Sequence, residues 1–271
     1  MEIIRAIVLG IIQGVTEFIP VSSSGHLVLV PHLLGWEEPS VAFDVLLHTG
    51  TLLALIIYFR NEVLQLLKAF FASIVEKDFK KDFERKLAWL IIIGTLPAVI
   101  MALLFKDFFE SLFALPFRVS CLLIITGVIL LSSERMSPKK RDLNKITIID
   151  SLVIGFAQGL AIAPGISRSG ATIAVGLLRG LKRESAARYS FLLSIPIILA
   201  AIANKIKDLM VLSQSNNTIA LSCFWGFFAA TVSGYFSIKY LLKFLQKGKL
   251  NVFAYYCFVF GITTLILICL R

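Results

Sequence analysis

Apolar residues run along this chain in long blocks that are nearly free of charge, and short segments rich in Lys and Arg separate them. An α-helix needs about 20 predominantly apolar residues to cross a hydrocarbon core of about 30 Å. Six blocks come near that length, with the third and fourth the shortest: 41–59, 87–105, 117–131, 189–203, 219–238 and 252–270. The pattern predicts an all-α polytopic membrane protein with about six transmembrane helices.

Composition supports one membrane domain over residues 1–271. Hydrophobic residues make up 58% of the chain and charged residues 16%, whereas soluble domains have about 45–50% and about 25%. The net charge of +10 comes from cations between the apolar blocks, which is the pattern of cytoplasmic loops. We therefore expect contact with membrane lipids and no nucleic acid partner. The N-terminus lacks a small-residue cleavage site, so we expect no cleaved signal peptide.

The cations also predict how the chain is threaded. If every Lys- and Arg-rich loop lies inside, the segment 146–178 must enter and leave the membrane on the inner side. It is then a re-entrant hairpin rather than a span. Residues 1–35 precede a span that starts outside, and we predict a second re-entrant hairpin there, entering from the other face.

These two segments resemble each other. A shift of 145 positions aligns Val8 with Val153, Gly10 with Gly155, Gln13 with Gln158, Gly14 with Gly159, Ser22 with Ser167, Ser24 with Ser169 and Gly25 with Gly170. The two copies would enter from opposite faces, so we predict an inverted-topology repeat, with repeat 1 at about 1–132 and repeat 2 at about 146–271. Such repeats commonly place broken helices near the bilayer midplane, where their termini line a polar site.

Each hairpin breaks its helix with the same kinds of residue. Pro20 in the first copy, and Pro164 with Gly165 in the second, end the incoming helix. The serines that follow are good N-caps for the outgoing helix. Two helix N-termini, with free N–H groups and positive dipole ends, would then face one cavity, which predicts an anion-binding site.

Three ionisable residues lie deep in this apolar sequence, where each is costly and therefore a functional candidate. Arg168 offers a forked set of donors that matches phosphate oxygens, or it could pair with a carboxylate for packing alone. His26 follows the first serine turn, and Glu17 precedes it. For three further residues near helix ends we favour a packing role: His32, His48 and Asp44.

A serine, a histidine, a glutamate and an arginine around an anion site indicate phosphoryl transfer. A serine hydroxyl becomes a good nucleophile when a base takes its proton, and His26 is the candidate base. Arg168 and the helix N-termini would stabilise charge on the equatorial oxygens. Glu17 could orient the histidine, pair with Arg168, or hold a divalent cation that binds a diphosphate.

Two motifs resemble the signatures of the undecaprenyl-diphosphate phosphatases, the bacitracin-resistance family: QGVTEFIPVSSSGH at 13–26 and PGISRSGAT at 164–172. The resemblance extends over the whole chain in length, hydropathy and motif order. Ser24 stands where other members have Thr, and Gln13 stands where some have Glu. The amide of Gln13 cannot act as a base, whereas the carboxylate of Glu in those members can.

The resemblance implies an activity and a setting. Members hydrolyse undecaprenyl diphosphate, a polyprenyl diphosphate lipid, to undecaprenyl phosphate and phosphate, which recycles the cell-wall lipid carrier and confers bacitracin resistance. It also implies a divalent cation, Mg²⁺ or Ca²⁺, and a homodimer in the bacterial plasma membrane with the active site open to the outer face.

The resemblance assigns catalytic roles to Glu17, Ser23, His26 and Arg168. The resemblance also implies phosphate binding by Ser167, Ser169 and Thr172. To these we add Ser22, Ser24, Gly25 and Gly170 as further candidate phosphate-binding positions in the two turns. Glu17 and Gln13 are the candidate metal ligands. The nucleophile is either Ser23 or a metal-bound water.

A transporter is the alternative function. An inverted repeat with broken helices is also typical of carriers, so a lipid-phosphate flippase or an anion carrier would fit the same architecture. A carrier needs anion donors but neither a nucleophile nor a base. The combination of Ser23, His26 and Glu17 beside an arginine therefore favours an enzyme.

Overall fold

The chain is almost entirely helical. A computed structural model describes residues 2–79, 81–113, 115–205 and 217–270. Within those residues it has twelve α-helices and no β-strand. The helices are α1 Ile3–Phe18, α2 Ser23–Leu34, α3 Val41–Tyr58, α4 Arg60–Glu76, α5 Phe83–Leu104, α6 Lys106–Phe113, α7 Pro116–Met136, α8 Ile148–Leu160, α9 Arg168–Leu178, α10 Arg183–Asn204, α11 Asn217–Leu245 and α12 Asn251–Cys269.

All six predicted spans are confirmed as helices that are long and apolar enough to cross a membrane: α3, α5, α7, α10, α11 and α12. The two short blocks, 117–131 and 189–203, belong to helices of 21 and 22 residues. Their charged ends had hidden this length. Glu134 in α7 binds Arg183 in α10, and this pairing allows both ends to remain helical inside the protein.

Helix α4 was not predicted, because its cations marked the segment as a loop. Only Leu66 and Ser73 of this helix are buried. One apolar side is exposed, with Leu64, Phe71 and Val75 at 55%, 62% and 82%. A helix with cations and an exposed apolar stripe is typical of the membrane interface, so α4 extends the apolar surface beyond α3.

The second predicted hairpin is formed by α8 and α9, and the chain enters and leaves it at the same end. Arg141, before α8, donates its backbone N–H to Gly180 O after α9 at 2.8 Å. Asp150 in the first turn of α8 accepts hydrogen bonds from Arg141 Nη2 at 2.6 Å and from Arg179 Nε at 2.7 Å. These contacts tie the two open ends together.

The first hairpin, α1 with α2, closes in a similar way. The Arg5 guanidinium, near the start of α1, lies 5.4 Å from the ring centroid of Trp36, just after α2. At the other end of the two hairpins the turns meet: a Cβ added to Gly25 would lie 3.2 Å from Gly165 Cα. The two broken helices thus bring their serine turns to one place.

Helices at corresponding positions of the two segments have corresponding partners. Helix α1 packs most extensively on α11, and α8 packs most extensively on α5. Both contacts use a small residue: a Cβ on Gly10 would lie 2.3 Å from Gly226 O, and one on Gly155 would lie 1.9 Å from Gly94 O. Close backbone approach through glycine is characteristic of membrane helices. The single domain and the opposite membrane orientations of the repeats stay predictions.

Candidate active site

The first serine turn ends α1 and starts α2. Ser22 is the N-cap of α2, and its Oγ accepts a hydrogen bond from Gly25 N at 3.2 Å. It adopts a left-handed backbone with φ of 69°, which costs free energy for a residue with a side chain. Ser23 and Ser24 are only half-buried, so their hydroxyls remain reachable.

The second turn repeats this capping. Ser167 is the N-cap of α9, and its Oγ accepts from Gly170 N at 3.0 Å and lies 3.2 Å from Ser169 Oγ. Thr126 in α7 fixes the turn from outside, since its Oγ1 donates to Gly165 O at 2.9 Å and accepts from Ser167 N at 3.0 Å. Sequence reasoning missed Thr126, which lies in a span with no local motif.

Thr172 supports this turn from below. It is buried, its Oγ1 donates to Arg168 O at 2.8 Å, and it lies 2.6 Å from Ser190 Oγ in α10. The hydroxyl is therefore used inside the protein, where it holds the first turn of α9 against α10. Gly25 N and Gly170 N are bound by the capping serines. The N–H groups of the first two residues of each helix have no partner inside their own helices, so both turns offer donors to an anion.

Glu17 is the centre of the site. Its Oε1 accepts from Arg168 Nη2 at 2.6 Å. Its Oε2 accepts from Ser23 Oγ at 2.5 Å and from Gln13 Nε2 at 3.0 Å. His48 Nε2 lies 3.5 Å from the same oxygen. Glu17 itself is 5% exposed, so a buried carboxylate joins the two serine turns.

The predicted partner of Ser23 was His26, and the structure pairs Ser23 with Glu17 instead. His26 Nδ1 lies 2.7 Å from Ser22 O, and because a carbonyl only accepts, this nitrogen carries the hydrogen. In the neutral ring Nε2 then accepts from Tyr256 OH, at 2.7 Å. The His26 ring also stacks on Phe260 with 4.7 Å between the ring centroids.

His48 and Tyr256 are two site residues that sequence reasoning did not select. His48 was interpreted as a packing residue near a helix end, although an intramembrane histidine is itself a signal of function. Its Nδ1 donates to Asp44 O at 2.8 Å, which turns Nε2 toward Glu17. Tyr256 lies 230 residues from His26, and a tyrosine in an apolar span carries no such signal.

The candidate metal ligands can supply part of a coordination shell. Gln13 Oε1 is buried without a hydrogen-bond partner among the described residues, and it belongs to the side chain that already binds Glu17. No cluster of three or more His, Cys, Asp or Glu side chains suited to a metal occurs in those residues. One carboxylate and one amide oxygen fit Mg²⁺ or Ca²⁺ when phosphate oxygens and water complete the shell.

Known proteins match this chain over nearly its full length. The family described as "Bacitracin resistance protein BacA" matches residues 6–263. Three relatives are named undecaprenyl-diphosphatase. That of Methanosphaera stadtmanae is 45% identical over 98% of each chain. That of Methanobrevibacter smithii is also 45% identical, over 97% of this chain and 96% of the relative. That of Carboxydothermus hydrogenoformans is 46% identical over 98% of each chain. With this coverage and the two signature turns in contact, the protein belongs to the bacitracin resistance protein BacA family.

Proposed function

We propose that the protein is an integral membrane phosphatase that hydrolyses undecaprenyl diphosphate to undecaprenyl phosphate and phosphate. Its relatives carry the name of that activity, and the contact between Ser23 and Glu17 is the observation that carries the proposal. A hydroxyl, a carboxylate that can take its proton and an arginine lie together. This set supports hydrolysis of a phosphoanhydride, with recycling of the cell-wall lipid carrier and bacitracin resistance as its consequences.

The first step uses Ser23 as the nucleophile. Its Oγ attacks the terminal phosphorus of the diphosphate while its proton passes to Glu17 Oε2, 2.5 Å away. The bond between the terminal phosphorus and the bridging oxygen breaks, and undecaprenyl phosphate leaves. Arg168 and the N–H groups of both turns stabilise the charge on the equatorial oxygens.

Water completes the reaction by attacking the phosphoserine. Glu17, protonated in the first step, returns a proton to Ser23 Oγ as inorganic phosphate is released. Attack by water directly on the diphosphate, without the phosphoserine, is the alternative route. In both routes the bonds of His26 to Ser22 O and Tyr256 OH hold the start of α2 in place. His26 can take a proton of the water at Nε2 only when Tyr256 OH gives up its bond to that nitrogen.

A divalent cation, Mg²⁺ or Ca²⁺, forms part of this proposal. Glu17 and Gln13 Oε1, which has no hydrogen-bond partner within the described part of the chain, would hold it together with the diphosphate. The ion supplies positive charge that offsets the charge of the transferred phosphoryl group. Phosphate oxygens and water would fill the remaining positions, which suits a site with few protein ligands.

The proposed setting is a homodimer in the bacterial plasma membrane with the site open to the outer face. The cations between the spans support this orientation, because they assign the basic loops to the cytoplasm. The dimer rests on the family resemblance. A flippase or anion carrier is the second candidate function, favoured by the contact between the two hairpin turns.

The direct test is phosphate release from undecaprenyl diphosphate by the protein purified in detergent. We expect release with Mg²⁺ or Ca²⁺ and its loss with excess chelator, which is reversed when the metal is restored. A uniform size-exclusion profile and a cooperative thermal transition show that the sample is folded. If such a sample releases no phosphate with either metal but moves a polyprenyl phosphate across liposomes, the transporter replaces the phosphatase.

Tyr256→Phe tests the role of His26. The change removes the O–H that donates to His26 Nε2 and keeps the stacked ring. Loss of one such hydrogen bond is expected to lower kcat roughly three- to tenfold with an altered pH profile and little change in KM. Tyr255→Phe is the matched control, because the Tyr255 side chain is 54% exposed. Equal kinetics in both variants would remove the His26–Tyr256 bond from the reaction.

A further inference from the structure

A polar cavity lies at the end of the molecule that carries the basic loops. It has a volume of about 830 Å³ and opens between the ends of α3, α4, α5, α10 and α11. This volume is within the range of small-molecule sites, about 300–1,000 Å³. We call it the basic crevice, and its polar lining includes Tyr58, Arg60, Arg188, Tyr235, Lys239 and Lys243.

Aromatic side chains separate the basic crevice from the candidate active site. Phe59 lines the crevice, and its ring centroid lies 6.4 Å from that of Phe191. Phe191 packs edge-on against Phe18, with 5.4 Å between the ring centroids. Phe18 follows Glu17 directly in α1. All three rings are buried, so the crevice is distinct from the site at the serine turns.

The charges of the basic crevice leave cations available. Its three carboxylates lie in the first turns of α4, α5 and α10, where they offset the helix dipoles: Glu62, Glu84 and Glu184. Glu62 also binds Arg188 Nη2 at 2.8 Å. Among the residues that the structure describes, no ion pair joins Arg60, Lys239 or Lys243 to a carboxylate.

These three cations can surround one oxyanion. Lys239 and Lys243 are four residues apart in α11, so they project from the same side of that helix. Arg60 begins α4 and lines the same crevice. Tyr58 and Tyr235 add hydroxyl donors, with 5.6 Å between their ring centroids. A phosphate group, with three or more oxygens and up to two charges, matches donors from several directions.

We propose that the basic crevice binds a phosphate group, either inorganic phosphate or the phosphomonoester of a lipid headgroup. The proposal does not depend on the activity at the serine turns. The crevice also has apolar lining residues, which include Leu66 and Leu242, and these leave room for a lipid chain beside the phosphate. The two sources share one recognition chemistry and differ in whether the chain contributes to affinity.

The test measures binding in the Arg168→Met, Glu17→Gln background, which removes both buried charges and weakens phosphate binding at the serine turns. Inorganic phosphate and a prenyl monophosphate are titrated separately by calorimetry in uncharged detergent. Lys239→Gln with Lys243→Gln is expected to raise Kd roughly tenfold or more, because both changes remove a charged hydrogen-bond donor to the phosphate. Arg60→Gln provides a second variant, from a different helix of the crevice lining.

Lys140→Gln with Lys145→Gln is the matched control, because it removes the same charge from exposed residues outside the crevice lining. Loss of inorganic phosphate binding in the crevice variants alone supports a site for free phosphate. Binding of the prenyl monophosphate only, lost in the same variants, supports a lipid headgroup site. The proposal is overturned if neither probe binds the parent, or if crevice and control variants bind alike.

Discussion

Arg168→Ala is expected to lower kcat/KM for undecaprenyl diphosphate by roughly 10³-fold or more, the scale at which an arginine stabilises phosphoryl transfer. The reason is its place at the N-terminus of α9, next to Ser23 through Glu17. No other described cation forms an ion pair with Glu17 apart from His48, at 3.5 Å. Arg168→Lys keeps the charge but loses the fork, so we expect it to recover only part of the activity.

Arg168→Ala should also lower the stability of the protein, and this effect must be separated from the effect on catalysis. It leaves Glu17 buried without its main partner, and breaking such a pair costs about 3–5 kcal/mol. Arg168→Met with Glu17→Gln removes both charges, so its thermal transition should recover while its activity stays lost. If Arg168→Ala is folded and keeps its activity within tenfold of the unsubstituted protein, the arginine stabilises no charge in the transition state.

The helices could be predicted from the sequence because a membrane restricts the backbone structures that can cross it. Every backbone polar group must find a partner inside the segment, so long apolar blocks become helices. The breaks at Pro20 and Pro164 were equally visible, since proline removes a backbone donor. Helix α4 escaped prediction because a helix at the interface keeps its cations, and a loop has the same signature.

The sequence likewise predicted only some of the contacts in the candidate active site. The pairing of Glu17 with Arg168 was predicted as one possible role of the buried carboxylate, because ionisable side chains within a membrane usually pair with one another. The partner of Ser23 was not. Both Glu17 and His26 are near Ser23 in sequence, and only the path of the turn turns the hydroxyl toward Glu17. His48 and Tyr256 reach the site from other helices. A histidine within a span marked His48 as a candidate but did not identify its partner, and a tyrosine in an apolar span carries no such signal.

The strained backbone at Ser22 follows from the same geometry. Its φ of 69° lets the chain reverse within the few residues between α1 and α2 while Ser22 Oγ still caps α2. Gly165 has a φ of 99° in the second turn, where glycine adopts it at little cost. Ser167, which aligns with Ser22, has an ordinary φ of −72°, so the left-handed residue lies at a different position in each turn.

Ser23→Ala is expected to lower kcat by roughly 10³-fold or more and to abolish any phosphorylated enzyme, because the variant lacks the hydroxyl that attacks phosphorus. Acid quenching of the unsubstituted protein during turnover with terminally labelled substrate should trap label on Ser23. Glu17→Gln should also lower kcat, by roughly 10²–10⁴-fold, since it removes the base 2.5 Å from Ser23 Oγ.

Ser24→Ala is the matched control for the nucleophile, because Ser24 is the next residue in the turn and its Oγ has only a long contact of 3.4 Å with Ser22 Oγ. We expect its kcat to fall tenfold at most, the scale of a lost donor. The pair of variants separates the two routes. A Ser23→Ala protein as active as Ser24→Ala, with no trapped label in the unsubstituted protein, assigns the attack to water. In that case Glu17 is the base for that water, and the Glu17→Gln variant should still have a lower kcat.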